Sequence, residues 1–162
     1  MTPIILFAVL AGLPILNALF MRVSAVFLFA SIAIGNFLVI YLSDDVTLAL
    51  NAFTKGQYVP MITQLTLLLS PVVLTLFFLR KSLPKSKVFL HILPLVGCGL
   101  SVAVLALPLL PSAVQSQIFG LPSADVFQNS QDLIVSVTAI MVLALMWQTY
   151  RPVEGKHGKK NH

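Results

Sequence analysis

The sequence predicts an all-α integral membrane protein of about five transmembrane helices, and three observations carry that reading. Hydrophobic residues make up 58% of the 162 residues and charged ones only 9%, whereas a soluble domain carries about 25% charge to face water. The apolar residues fall into five long runs, each near the roughly 20 residues that an α-helix needs to cross a hydrocarbon core. The cations stand beside those runs and not within them. A single helical membrane domain over residues 1–150 and a basic cytoplasmic tail over 151–162 account for the sequence, with no room between them for a second, soluble domain.

Residues 3–20 form the first span and are barely long enough to cross. A secretory signal would open with cations and close on a small-residue cleavage site. Neither precedes Arg22, so a retained helix is expected, with a tilted or re-entrant segment as the alternative. Pro14 should kink it, because proline lacks an amide donor and clashes with the preceding turn. The link Met21-Arg22-Val23 is so short that the second span, 24–42, should pack against the first as an antiparallel hairpin. Ala8 with Gly12, and Ser31 with Gly35, place small residues four apart, a spacing that lets helix backbones approach closely in lipid.

Residues 43–60 connect to the third span. Asp44 or Asp45 is suited to cap a short helix. Val46, Ala49, Leu50 and Phe53 would form its apolar face and Gly56 its stop, so it should lie in the membrane interface. The third span, 61–79, contains Gln64, Thr66, Ser70, Pro71 and Thr75. Pro71 should free one carbonyl, to be met by neighbouring hydroxyls or helices.

The basic link 80–87 leads to the fourth span, 88–110, with His91, Pro94, Gly97, Cys98, Gly99, Ser101 and Pro108. This is the most deformable helix of the set, suited to a tightly packed seam or, alternatively, to a hinge. In the second long connection, 111–131, Ser112 and Gln115 match a capping box and Gly120 would end a short external helix edged by Val114, Ile118 and Leu121. Asn129 and Asp132 would open the fifth span, 132–150, whose Trp147 and Tyr150 suit an interface. The tail 151–162 has the composition of a disordered segment.

Charge sets the expected orientation. With the 80–87 link inside, nine of the ten Lys and Arg residues lie inside and Lys55 alone outside, a strong bias by the rule that keeps cations on the cytoplasmic side. The amino terminus is then outside and the carboxy terminus inside, as suits a multi-pass protein of a cell membrane, in particular a bacterial inner membrane. Spans two and three, and four and five, would rise as two hairpins of similar plan. Either a parallel repeat or shared membrane constraints accounts for that likeness.

The chemistry is mostly negative. No Asp, Glu, Lys or Arg falls in the middle of a span, which argues against a proton-coupled pump. The net charge of +5 comes with no nucleic-acid reader motif. Cys98 is the single cysteine, so neither an intrachain disulfide nor a cysteine metal cluster is available. His91 has no second span histidine to share a haem and reads as an interfacial polar residue. Asp125 and Asp132 come nearest to an acid–base pair, yet loop solvation and a helix start explain each. No catalytic residue, metal or cofactor is therefore assigned, and no phosphate loop, nucleophile elbow or zinc signature is present.

Two kinds of site residue remain. Asn36, Gln64, Ser70 and Ser101 are candidates to line a pore or to bond across helix interfaces. Arg80, Lys81, Lys85, Lys87 and Arg151 are candidates to contact lipid headgroups on the cytoplasmic face. The expected partners are the lipid bilayer and another membrane protein or further copies of this chain, with no nucleic acid. A non-enzymatic subunit, or an accessory or assembly factor of a membrane complex, is the leading functional expectation. An oligomeric channel or transporter for a small or lipidic solute is the alternative. The orientation is testable: Lys85→Cys should resist a membrane-impermeant thiol reagent in intact cells and react after permeabilisation.

Overall fold

The computed structural model describes residues 3–54, 56, 58–80, 82, 88–111, 115 and 130–149. Helix α1 covers Pro3–Met21, α2 Ala25–Phe53, α3 Val59–Phe78, α4 Val88–Ala106 and α5 Gln131–Thr149. A 3-10 turn, Leu107–Leu109, prolongs α4, and there is no strand among the described residues. Helices α2, α3, α4 (with its turn) and α5 are long and apolar enough to cross a membrane, while α1 adds the shorter apolar stretch Ala8–Met21. Large apolar side chains such as Phe37, Ile40, Phe78, Leu93 and Ile140 are exposed on the outside. A soluble monomer rarely presents so much apolar surface to water. The fold is that of an all-α integral membrane protein.

All five helices contribute to one core, with Ala18, Leu28, Ile32, Val72, Leu95, Cys98, Val102 and Val142 among its members. Helix α4 is its hub: 56% of that span is buried inside the protein, against 28%, 22% and 17% for α2, α3 and α5. The reason lies in its small residues. A methyl group added at Gly99 would land on Ile15 and the Ala11 carbonyl of α1. One added at Gly97 would come within 2.7 Å of Thr138 Oγ1 on α5. Two residues apart on a helix point to nearly opposite sides, so these glycines admit one neighbour on each flank. The expected tight seam is thus present on α4.

The pairing of α1 differs from expectation. It lies along α4, and α2 takes α3 as its main neighbour, so the first two helices do not form the hairpin that their short link suggests. The link turns the chain instead. Val23 N–H donates to Ala18 O at 3.0 Å and Arg22 N–H to Leu19 O at 3.3 Å. Together these form a Schellman ending, with Arg22 in the left-handed region at φ 52° and Ala18 and Val23 buried beneath it. Glycine usually holds that position, and an arginine there costs about 1–2 kcal/mol.

Gly35 does sit in a close helix contact, against the Leu68 carbonyl of α3, and Ser31 beside it is buried and donates to Leu28 O at 2.7 Å. The other small-residue pair makes no seam, because Gly12 has open space around it and Ala8 is exposed.

The expected separate interfacial helix after residue 42 is also corrected. Helix α2 continues through Asp44 and Asp45 to Phe53, 29 residues in all. No proline or glycine lies between Asn36 and Lys55 to stop it. Asp44 and Asp45 are exposed along its length, so neither opens a helix. At its end Thr54 N–H donates to Leu50 O at 2.8 Å, and α3 begins at Val59. Beside this end, Leu107 and Leu110 pack with Met61 and Leu65 in a small second core.

Gly35→Ala should lower stability by about 1–3 kcal/mol, since the helix backbones must part to admit a methyl group. Gly12→Ala should be neutral or slightly stabilising. Unfolding titrations in mixed detergent micelles distinguish the two.

Candidate functional site

Polar groups inside this bundle have one recurring task, meeting backbone carbonyls. A proline removes the amide that would serve the carbonyl four residues earlier, and hydrocarbon offers no water in its place. Pro71 frees the Leu67 carbonyl, which receives the Ser70 hydroxyl at 3.4 Å, the local repair expected of that stretch. Pro108 likewise frees the Val104 carbonyl. There the donor comes from another helix: Gln131 Nε2 reaches it at 2.8 Å. Gln131 therefore ties the start of α5 to the end of α4. Gln115 does related work beyond the 3-10 turn, where its amide donates to Pro108 O at 3.0 Å and Leu110 O at 2.8 Å.

The α4–α5 contact has a second polar point lower down. Ser101 is fully buried, and its hydroxyl donates to Gly97 O at 2.9 Å. It also lies 3.5 Å from Thr138 Oγ1, which donates to Ile134 O at 2.7 Å. The other face of α4 meets α2, where the buried Cys98 thiol approaches Ala25 O at 3.7 Å. His91, read from sequence as interfacial, stands in the first turn of α4 and is 4% exposed, packed inside the protein. It belongs to the same inward face as Leu95 and Cys98, three or four residues on.

The four candidate pore residues are not gathered around one cavity. Ser101 lies in the α4–α5 contact, whereas Asn36 and Gln64 are half-buried on α2 and α3. Ser70 lies with Thr66 on a shallow groove of about 540 Å³ along α3, between Ile62, Leu69 and Val73. Among the candidate headgroup contacts, Arg80 is exposed, with its guanidinium 4.9 Å from the centre of the Phe77 ring. Lys81, Lys85, Lys87 and Arg151 lie outside the described residues. So do Asp125 and all of the expected second external helix except Gln115, while Asp132 is exposed in the first turn of α5. Among the described residues, no three His, Cys, Asp or Glu side chains converge.

Two residues escape the sequence reading. Gln131 was legible only in part: Pro108 announces a free carbonyl, but nothing local says which side chain answers it. Arg22 carries a fainter signal, a cation at the end of a helix where glycine is usual.

No protein-family model, curated protein or solved structure matches the chain. Its class follows from the fold itself, a small multi-helix membrane protein in which most of the buried polar side chains bond to backbone carbonyls.

Gln131→Leu should cost about 1–3 kcal/mol by leaving the Val104 carbonyl unmet. Pro108→Ala restores a backbone donor to that carbonyl, so the same substitution should cost measurably less in its background. A double-mutant cycle in micelles reads the difference.

Proposed function

We propose that this protein is a non-enzymatic subunit, or an accessory or assembly factor, of a membrane complex. It resides in a cell membrane, in the bacterial inner membrane by its cation bias, with the amino terminus outside and the carboxy terminus within. The observation that carries the reading is that most buried polar side chains in the spans, and some partly exposed ones, bond to backbone. Asn17 donates to Leu13 O at 3.0 Å, Thr63 to Val59 O at 2.8 Å and Thr138 to Ile134 O at 2.7 Å. Ser70, Ser101 and Gln131 are taken up in the same way. Groups bound to backbone stabilise helices and helix pairs, and they make a poor lining for a path through the bilayer.

Exposed residues of the last turns of α2 offer a surface for a neighbour. Leu48 is 70% and Phe53 89% exposed on a part of the helix that follows the acidic pair Asp44-Asp45. A partner subunit or a second copy of this chain would cover such side chains at the membrane surface.

The channel or transporter reading retains one supporting observation. The α3 groove with Thr66 and Ser70 is bordered by the exposed Ile62, Val73 and Leu74, and several copies placed around an axis would enclose it. Crosslinking in native membranes, followed by purification in mild detergent, should capture a partner or an oligomer. A strictly monomeric particle with no crosslinked species overturns the subunit reading, and solute flux into liposomes holding the pure protein favours the channel.

A further inference from the structure

At the basic end of the bundle, the turn after α1 and the turn after α3 meet. Ser24 N–H donates to Ser82 Oγ at 3.1 Å across this junction. Beside it lies a cavity of about 330 Å³ lined by Phe20, Met21, Arg22 and Arg80, at the small end of the range for ligand sites. We infer that this cavity is a phosphate-binding site, with the guanidinium groups of Arg22 and Arg80 as the anion ligands. The phosphate is either the headgroup of an anionic lipid or a free phosphate from the adjoining water.

Three observations converge on that assignment. The first is charge: two cations from separate turns border one small cavity, and their repulsion is relieved by an anion between them. No carboxylate does so among the described residues, since Asp44 and Asp45 lie about two-thirds of the way along α2 from that end and Asp132 stands in the first turn of α5, beside the far end of α4. Planar guanidinium forks match phosphate oxygens in pairs. The second is conformation. Arg22 occupies the left-handed position of a Schellman ending at φ 52°, a place where glycine serves the turn without strain. Backbone strain of this kind marks functional positions when the side chain has a task that the turn itself does not require.

The third observation is setting. Phe20 and Phe78 are 86% and 81% exposed at this end, and Phe77 lies beneath the Arg80 guanidinium. Apolar rings that face outward beside cations place the cavity at the depth of lipid headgroups. The inference rests on the membrane-spanning fold and is independent of whether the protein serves a larger complex.

The test is thermal unfolding of the full chain in detergent micelles, titrated with short-chain phosphatidylglycerol, with phosphatidylcholine as zwitterionic control, or with inorganic phosphate. Phosphatidylglycerol should raise the midpoint by a few degrees over the control, and Arg22→Gly and Arg80→Gln should each weaken that response tenfold or more. Arg22→Gly relieves the left-handed strain, so it should unfold no earlier than the parent without ligand, which separates lost binding from lost folding. A response to phosphatidylglycerol alone assigns the site to lipid, and one to inorganic phosphate as well assigns it to the free anion; both support the site. No response to either probe, or a full response in both variants, overturns it.

Discussion

A backbone carbonyl in hydrocarbon has no water to turn to, and this chain places prolines inside three of its membrane helices. Pro14, Pro71 and Pro94 interrupt α1, α3 and α4, and Pro108 ends the regular part of α4. Each removes a donor that the bilayer cannot replace. The response at Pro71 is local, a hydroxyl one residue away. At Pro108 it is tertiary, because Gln131 arrives from the next helix. A gap in one helix thereby specifies the position of another. Apolar packing alone specifies position weakly in lipid, where tails and side chains are equally apolar.

Small residues set the rest of the arrangement. Gly97 and Gly99 open opposite sides of α4 to α5 and α1, and Gly35 opens α2 to α3. Dispersion contacts grow as helix axes close together, and in a membrane they replace the hydrophobic drive that water provides elsewhere. The inward residues Leu95, Cys98 and Val102 then join the common core, with Cys98 against Ala25 of α2. The result is a bundle whose most central helix is also its richest in glycine.

Sequence made the spans legible because length and apolarity are properties of each run by itself. It left their partners largely unread. A helix that is apolar all round has no stripe to show which side faces the core, so the brevity of the Met21–Val23 link suggested a hairpin that α1 does not form. The run beyond residue 42 departs from expectation for a related reason. Asp44 and Asp45 resemble cap residues, yet with no proline or glycine nearby the helix simply continues. Of the candidate site residues, Ser101 was legible as a polar group at helical depth, but its neighbour Thr138 lies 37 residues away. The meeting of Arg22 with Arg80 is likewise a product of tertiary turns, and no spacing in the chain announces it.

The unequal lengths of the helices have a mechanical consequence. Helix α2 is about 43 Å long at 1.5 Å per residue, enough for both headgroup layers as well as the hydrocarbon, whereas α4 with its 3-10 turn reaches about 34 Å. A bilayer thicker than that leaves α2 in register and strands the end of α4 and the start of α5, which the Gln131 bond holds together. Lipid must then thin around those two helices, so membranes of modest thickness are the setting in which this bundle rests at least cost.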